Sequence, residues 1–445
     1  MSDWLANIFR KFLPTPFTIA VILTVVTFIL ASYFNTNNQE KPIASLFLYW
    51  EKGLWDKDLI VFAFQMMLML VLGHVVALSK TVNLLIEKMS TLFTNTAQAA
   101  ALVTLLTLLV SFFNWGLGLI FGAILARKVG EYASKNNIKI HYPIIGAAGY
   151  SGLMVWHGGI SGSAPIKIAE PGHFMQEKIG IISQDATIFS SMNISVSLIL
   201  IIVLPIIMYF LGKKSNGIKI NLDSSKIEIG NQKLVGAEKL DHSKIIGSVF
   251  GIAILSFCFY KAILIPEELS LSFITPNFIN LFLLGMAIFL HQNFNQFLKA
   301  VSKAINGSSG ILIQFPLYFG IMGLMKYSGM VTVFSDFFVQ ISNSTTFPIF
   351  TFISAGIVNI FVPSGGGQWA VQGPIIIEAA NQLGVPNWKA IMALAYGDQT
   401  TNMLQPFWAL PLLGITGLKA KEILPYTLIL MVAGSTIFIV GLLLF

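Results

Sequence analysis

Four stretches of this sequence combine helix-breaking residues with side chains able to hold a small anion or a cation. Asn114-Trp115-Gly116-Leu117-Gly118 and Pro363-Ser364-Gly365-Gly366-Gly367 interrupt two long apolar runs. His157-Gly158-Gly159-Ile160-Ser161-Gly162-Ser163 and Gly397-Asp398-Gln399-Thr400-Thr401-Asn402 interrupt two others. Consecutive glycines let backbone N–H groups approach a ligand closely, and a helix starting after them favours an anion at its N-terminus. This points to Ser364, Gly365, Gly366 and Gly367 as carboxylate-binding residues, with Asn114 as the matching amide beside Trp115 and Gly116. Thr400, Thr401 and Asn402 supply hydroxyl and amide groups, and with unwound carbonyls these suit Na⁺; Thr401 and Asn402 are also read as ligands of the substrate carboxylate. Asp398 is the one acid well inside an apolar segment, where such residues are costly and usually functional. It is read as the coupling residue, together with Thr400, Asn114 and Ser364. An unperturbed histidine titrates near neutrality, so His157 could pair with a carboxylate or pass a proton.

Each residue also has a plainer reading. Asn114 could cap the half-helix that follows it, and the three glycines could simply turn the chain. Thr400 to Asn402 could only bond between helices. Asp398 could cap a half-helix, and His157 could only satisfy a carbonyl. Lys167 and Glu170, just past the first histidine-containing break, are expected to be solvated loop charges, with an external gate pair as the other reading. His74 is expected to be structural.

The elements that must position these residues follow from composition. The chain has 445 residues, 55% hydrophobic and 11% charged, with a mean hydropathy of +0.76; a soluble chain carries about 25% charged residues. This excludes a soluble enzyme, a nucleic-acid-binding domain and a disordered chain, and leaves an all-α polytopic membrane protein in a lipid bilayer. Cys258 is alone, so neither an intrachain disulfide nor a cysteine metal site is available. A span takes about 20 apolar residues. About nine transmembrane segments result: 14–34, 58–79, 141–165, 187–211, 245–264, 276–291, 308–327, 389–411 and 425–445. The first, behind Arg10-Lys11, is read as a retained helix rather than a cleaved signal. Stretches 97–133 and 346–380 are too long for one span, and each is broken in the middle.

Charge decides how those two stretches run. Drawn as re-entrant hairpins, they place 19 of the 27 Lys and Arg on one side with 8 of the 20 acids. That side is cytoplasmic by the positive-inside rule, with a cytoplasmic N-terminus and a periplasmic C-terminus. Drawn as ordinary spans, they would export the seven-lysine segment 213–244. The net +7 therefore reads as an orientation signal rather than a sign of nucleic acid.

The same drawing exposes an internal repeat. Tyr150 and Tyr396 are separated by the same 246 positions as Pro165 and Pro411, and both broken tips fall in register. Residues 1–212 form a first half with hairpin 97–133 and interrupted helix 141–165. Residues 276–445 form a second, inverted half with hairpin 346–380 and interrupted helix 389–411. Residues 213–275 hold the basic loop and linking helix, and amphipathic connectors are expected at 82–95 and 330–341. Inverted halves with interrupted segments suggest a secondary transporter with a midplane site.

The runs SFFNWGLGLIFGAILARKVG, GYSGLMVWHGGISGSAP, NIFVPSGGGQWAVQGPI and YGDQTTNMLQPFWALPLLGI resemble the short-chain fatty acid transporter family of bacterial inner membranes, over essentially the whole chain. That family is grouped with the ion-transporter superfamily, whose sodium/dicarboxylate symporters are built from inverted repeats with hairpins. The resemblance implies transport of short-chain monocarboxylates such as acetoacetate or butyrate, coupled to H⁺ or Na⁺ without a cofactor. It also implies a homodimer and an elevator-type movement of the hairpin-bearing domain. Asn114-Trp115-Gly116 and Ser364-Gly365-Gly366 stand where the dicarboxylate carriers have Ser-Asn-Thr signatures, which leaves Asp398 or His157 open as proton carriers. Trp115, Trp156 and Trp369 are candidates for the wall against an acyl tail. The rival readings are a carrier of another anion such as a dicarboxylate, a channel, and an integral-membrane enzyme using His157 and Asp398. No Lys or Arg lies in any break, which argues for a singly charged substrate.

Overall fold

A computed structural model describes residues 16–34, 42–219, 222, 236–265, 273–361 and 365–445. Among the described residues the regular elements are all helical, apart from one isolated antiparallel bridge between Ile140 and Ile218. We number the helices in chain order and leave single-turn ones unlabelled. The first half contains α1 (Pro16–Phe34), α2 (Pro42–Leu54), α3 (Lys57–Ala77), α4 (Lys80–Met89), α5 (Thr96–Phe113), α6 (Trp115–Lys135), α7 (Tyr142–Tyr150), α8 (Ser163–Lys167) and α9 (Ser191–Lys214). Then come α10 (Lys244–Phe259), α11 (Pro276–His291), α12 (Phe294–Ala304), α13 (Ser309–Tyr327) and α14 (Met330–Ile341). The chain finishes with α15 (Phe347–Phe361), α16 (Gly365–Leu383), α17 (Asn387–Thr401), α18 (Pro406–Thr416) and α19 (Ala420–Leu444).

Capping residues explain eight of these starts. Asp56, Ser79, Asn95, Asn114, Ser190, Ser243, Thr275 and Asn293 each turn a side-chain oxygen onto an N–H of the following first turn, satisfying a donor the helix leaves unpaired. Among the described residues, five helices are long and apolar enough to cross a membrane. They are α3, α5, α9, α10 with its π-turn extension to Leu264, and α19. A sixth candidate is the pair α13 and α14, bent by 84° at Gly329, whose φ of +84° suits a residue without Cβ. Shorter apolar helices cover Ala20–Phe34, Pro276–His291 and Phe347–Ile360.

The nine expected segments all carry helix. Expected hairpin 97–133 is α5 and α6, joined only by Asn114, and 346–380 contains α15 and α16, whose junction at 362–364 lies outside the described residues. The expected tip residue Ser364 lies there too. At 18 residues, α5 is longer than the short arm anticipated from sequence. Connector 82–95 is the shorter α4, whereas 330–341 matches α14. Two amphipathic helices, α2 and α12, were not anticipated.

Packing repeats between the halves. Helix α6 lies against α3, α4 and α5, and α16 lies against α13, α14 and α15; likewise α5 packs on α7 and α15 on α17. Contacts also cross over: α18 rests on α6 and α8 on α16, while α1 rests on α13 and α11 on α3. Ala390 to Thr400 of α17 are all buried, as is every residue of α7 except Pro143. Apolar side chains point outward instead on α1 (Ile22, Val25, Ile29), α9 (Leu198, Ile202, Phe210) and α10 (Val249, Phe250, Ile252). Such a surface suits hydrocarbon rather than water.

Candidate functional site at two helix breaks

Both interrupted helices are broken at the molecule's centre. In the first, α7 passes into a 3-10 turn at Ser151–Met154, runs irregularly through His157 and resumes at Ser163. The second break lies later than the sequence suggested. Gly397 through Thr401 stay helical, and a 3-10 turn at Asn402–Leu404 precedes α18. Pro406 is the cause: it has no N–H to donate, so the helix of the preceding turn cannot continue through it. It also holds Gln405 in an extended conformation (φ −82°, ψ 126°). Gly365 to Gly367 likewise form the first turn of α16 rather than a loop.

These shifts put Asp398 in the last turn of α17, facing the first break. Its Oδ2 is 3.4 Å from Nε2 of His157, and both side chains are fully buried. The pair is close, but not in hydrogen-bond alignment. Among the described residues, neither ring nitrogen of His157 and neither carboxylate oxygen of Asp398 has a hydrogen-bond partner. The His157 backbone N–H donates to Oε1 of Gln399 at 2.7 Å, which ties the two breaks together. A methyl built on Gly365 would overlap the imidazole at Cε1 and Nε2 and stand 3.1 Å from Asp398 Oδ2. The glycine therefore allows the second tip to close over the pair.

The two related tyrosines reach into opposite breaks. Tyr150 Oη lies 2.9 Å from the carbonyl of Asn402 and 3.2 Å from that of Gln405. The hydroxyl of Tyr396 donates to Oδ1 of Asn193 at 2.9 Å, and Nδ2 of that residue holds the carbonyls of Gly158 at 2.8 Å and Ile188 at 2.6 Å. The carbonyls of Asn402 and Gln405 at the second break are thus satisfied by Tyr150 of the first interrupted helix, while that of Gly158 at the first break is satisfied by Asn193 of α9, which Tyr396 in turn holds, as irregular backbone in a membrane protein requires.

Other predicted residues are accounted for as follows. Asn114 caps α6, its Oδ1 accepting from Leu117 N–H at 2.8 Å, while its buried Nδ2 has no partner among the described residues. Trp115 N–H donates to Ser161 Oγ at 2.9 Å, so the first tip is bonded to the first break. Gly116 packs against the backbone of α3 at Leu70. Thr400 donates to the Tyr396 carbonyl at 2.6 Å and Thr401 to that of Gly356 at 2.9 Å. Asn402 Oδ1 accepts from Asn359 at 2.9 Å, and its own Nδ2 has no partner among the described residues. Trp115 and Trp156 stack at 4.8 Å and 17°, and Trp156 stacks on His157 at 4.6 Å and 18°. Trp369 is not part of this wall; it pairs with Phe174 at 6.1 Å. Trp408 takes the place, edge-on to both stacked indoles at 5.4 and 5.3 Å.

Asn193, Asn359, Gln399 and Trp408 were missed from sequence. The first two were detectable as amides in otherwise apolar helices. Lys167 and Glu170 correct an expectation outright: they are buried and 2.6 Å apart, because Gln65 and Asn277 of other helices close over them. Among the described residues no group of three His, Cys, Asp or Glu could hold a metal ion.

A buried polar centre with unpartnered donors and acceptors, enclosed by helices whose outer faces are apolar, is the build of a solute transporter rather than of a receptor anchor or a soluble enzyme. Two solved transporters share the fold: YdaH of Alcanivorax borkumensis (TM-score 0.59, 13% identity, covering 96% of this chain and 98% of that one) and MtrF of Neisseria gonorrhoeae (TM-score 0.56, 14% identity, 98% and 97%), the latter described as illuminating a class of antimetabolite efflux pumps. Closer in sequence are proteins named "Putative short-chain fatty acid transporter" from Escherichia coli (strain K12), 35% identical over 100% of this chain and 99% of that one, and Haemophilus influenzae, 35% identical over 99% and 98%. The family pattern described as short chain fatty acid transporter matches residues 1–445, and this chain belongs to that family. It is an integral membrane transporter, not an enzyme.

Proposed function

We propose that the protein is a secondary active transporter that carries short-chain monocarboxylates such as butyrate or acetoacetate across the bacterial inner membrane, coupled to protons. The observation carrying this reading is the buried His157–Asp398 pair at the meeting of two helix breaks, under the glycine tip of α16 and beside the stacked indoles of Trp115 and Trp156. The substrate carboxylate takes the unpartnered donors Nδ2 of Asn114 and Nδ2 of Asn402, with the first turn of α16, while its acyl tail lies on the indoles and Trp408. A carboxylate at this depth needs a compensating cation. Asp398 is the one acid at the breaks, and a proton on the Asp398–His157 pair removes its charge when the anion is bound. Na⁺ is the weaker reading, since Thr401 Oγ1 already accepts from Asn359 Nδ2 and Asn114 Oδ1 from Leu117 N–H.

The recurring helix contacts of the two halves support an inverted repeat. They fit an alternating-access step in which the hairpins and broken helices move together against α1 to α4 and α10 to α14. Charge separation in the sequence supports a cytoplasmic N-terminus and a periplasmic C-terminus. The outward apolar face of α10 leaves room for a second copy in a homodimer. Counterflow tests the function: vesicles containing the protein and preloaded with butyrate should take up labelled butyrate saturably, above the passive leak of protein-free vesicles. Uptake no greater than that leak, for butyrate and acetoacetate alike, would overturn it.

A further inference from the structure

Away from the breaks, the carboxylate of Glu170 is held by three nitrogen donors from three separate segments. Nζ of Lys167, the last residue of α8, donates to Oε2 at 2.6 Å. Nε2 of Gln65 on α3 lies 2.9 Å from Oε1 and 3.2 Å from Oε2, and Nδ2 of Asn277 on α11 donates to Oε1 at 2.9 Å. The donors are also fixed to one another. Lys167 Nζ is 3.2 Å from Gln65 Oε1, Gln65 Nε2 is 3.0 Å from Asn277 Oδ1, and Asn280 holds the Gln65 carbonyl at 2.9 Å. Lys167 and Gln65 are each 3% exposed. Charge-assisted bonds of this kind are what a carboxylate receptor supplies, and a buried ammonium requires a partner at all times.

The occupant stands at the edge of an exposed turn. Glu170 directly precedes Pro171 and Gly172, which are both exposed, and Gly172 has a φ of +81° with open space around it. The cradle also adjoins the tip of α16. Lys167 Nζ lies 5.6 Å from the Phe62 ring, and Phe62 is packed so tightly on Gly366 that an added methyl would stand 3.0 Å away. Phe174 continues this apolar lining from Phe62 at 6.3 Å to Trp369 at 6.1 Å. The next residue of the tip, Gly365, touches His157.

We propose that Gln65, Lys167 and Asn277 form a second, outer carboxylate-binding site, filled by Glu170 in this conformation and by a short-chain monocarboxylate when Glu170 swings out. The exchange is one carboxylate for one carboxylate, so Lys167 stays paired throughout, and the acyl tail meets Phe62 and Phe174 on the way to the tip. The cradle itself is read from the contacts alone; its occupant rests on the transport reading above.

The test is ligand rescue in the full-length protein. Glu170→Ala empties the cradle, and its thermal unfolding in detergent is followed against sodium acetate, propionate and butyrate, with sodium chloride at matched ionic strength. Stabilisation by the carboxylates should half-saturate at a concentration at least tenfold lower than in the wild type, and Lys167→Met in the same background should abolish the gain. Glu170→Gln, which keeps the shape of the occupant, serves if the alanine variant does not fold and should show the same order of response. A folded Glu170 variant that responds to carboxylate no better than the wild type, or a double variant that keeps the gain, overturns the proposal. Rescue without any vesicle uptake would leave the cradle standing and the transport reading refuted; uptake without rescue would do the reverse.

Discussion

Adding a single methyl at Gly365 should disable transport. The alanine Cβ would occupy the space of His157 Cε1 and Nε2 and crowd Asp398 Oδ2 at 3.1 Å. Sliding the imidazole aside disturbs its stack on Trp156 (4.6 Å), which is itself stacked on Trp115 (4.8 Å). Overpacking of this kind costs about 1–3 kcal/mol. If that cost falls wholly on the loaded state, affinity drops by about 5- to 150-fold. Gly414→Ala in α18 is the matched control, because a methyl there meets nothing within 4 Å and alanine favours the helix by up to about 1 kcal/mol. The assay is concentration-dependent uptake of labelled butyrate into vesicles carrying each variant. Gly365→Ala should need at least fivefold more substrate for half-maximal rate or lose uptake altogether, while Gly414→Ala matches the wild type. A Gly365→Ala protein with wild-type kinetics would refute the view that α16 closes on the His157–Asp398 pair.

Further predictions follow from the cross-linked breaks and the indole wall. Tyr150→Phe leaves the buried carbonyls of Asn402 and Gln405 without this donor, and Tyr396→Phe does the same to Asn193 Oδ1. Each should lower stability by about 1–3 kcal/mol, read as a fall in the midpoint of thermal unfolding, with a double variant losing less than the sum if the breaks act as one unit. Asn193→Ala releases Gly158, Ile188 and Tyr396 together and should be more damaging than Tyr396→Phe in the same scan. Trp408→Ala opens space beside two stacked indoles and should shift preference toward longer acyl chains, measured by competition of propionate, butyrate and hexanoate for uptake; an unchanged ranking would remove Trp408 from the acyl wall.

Local chemistry was the legible part of the sequence. Apolar length located the helices, and runs such as His157–Ser163 marked an interruption, because glycines and hydroxyl groups at membrane depth have few other uses. Where the second chain break falls was misjudged from Gly397. Glycine only permits a break within a helix, whereas Pro406 enforces one, so proline was the better guide. The partnership of His157 with Asp398 joins positions 241 residues apart, and the sequence offered both without a reason to pair them. Lys167 and Glu170 were misread for the same cause: their burial is decided by Gln65 and Asn277, which reach them from remote helices. Trp369 lies against Phe174 and Trp408 against the stacked indoles because an indole's facing depends on how distant helices cross, and no local pattern encodes that.

The central claim, that a monocarboxylate and a proton travel together through the Asp398–His157 site, is tested most directly by one comparison. Labelled acetoacetate uptake is measured in vesicles bearing wild-type or Asp398→Asn protein, under separately imposed H⁺ and Na⁺ gradients and against protein-free vesicles. The account predicts accumulation driven by the proton gradient in the wild type, and its loss in Asp398→Asn with substrate exchange retained. Accumulation that follows only the Na⁺ gradient, or that persists under the proton gradient in Asp398→Asn, would contradict it.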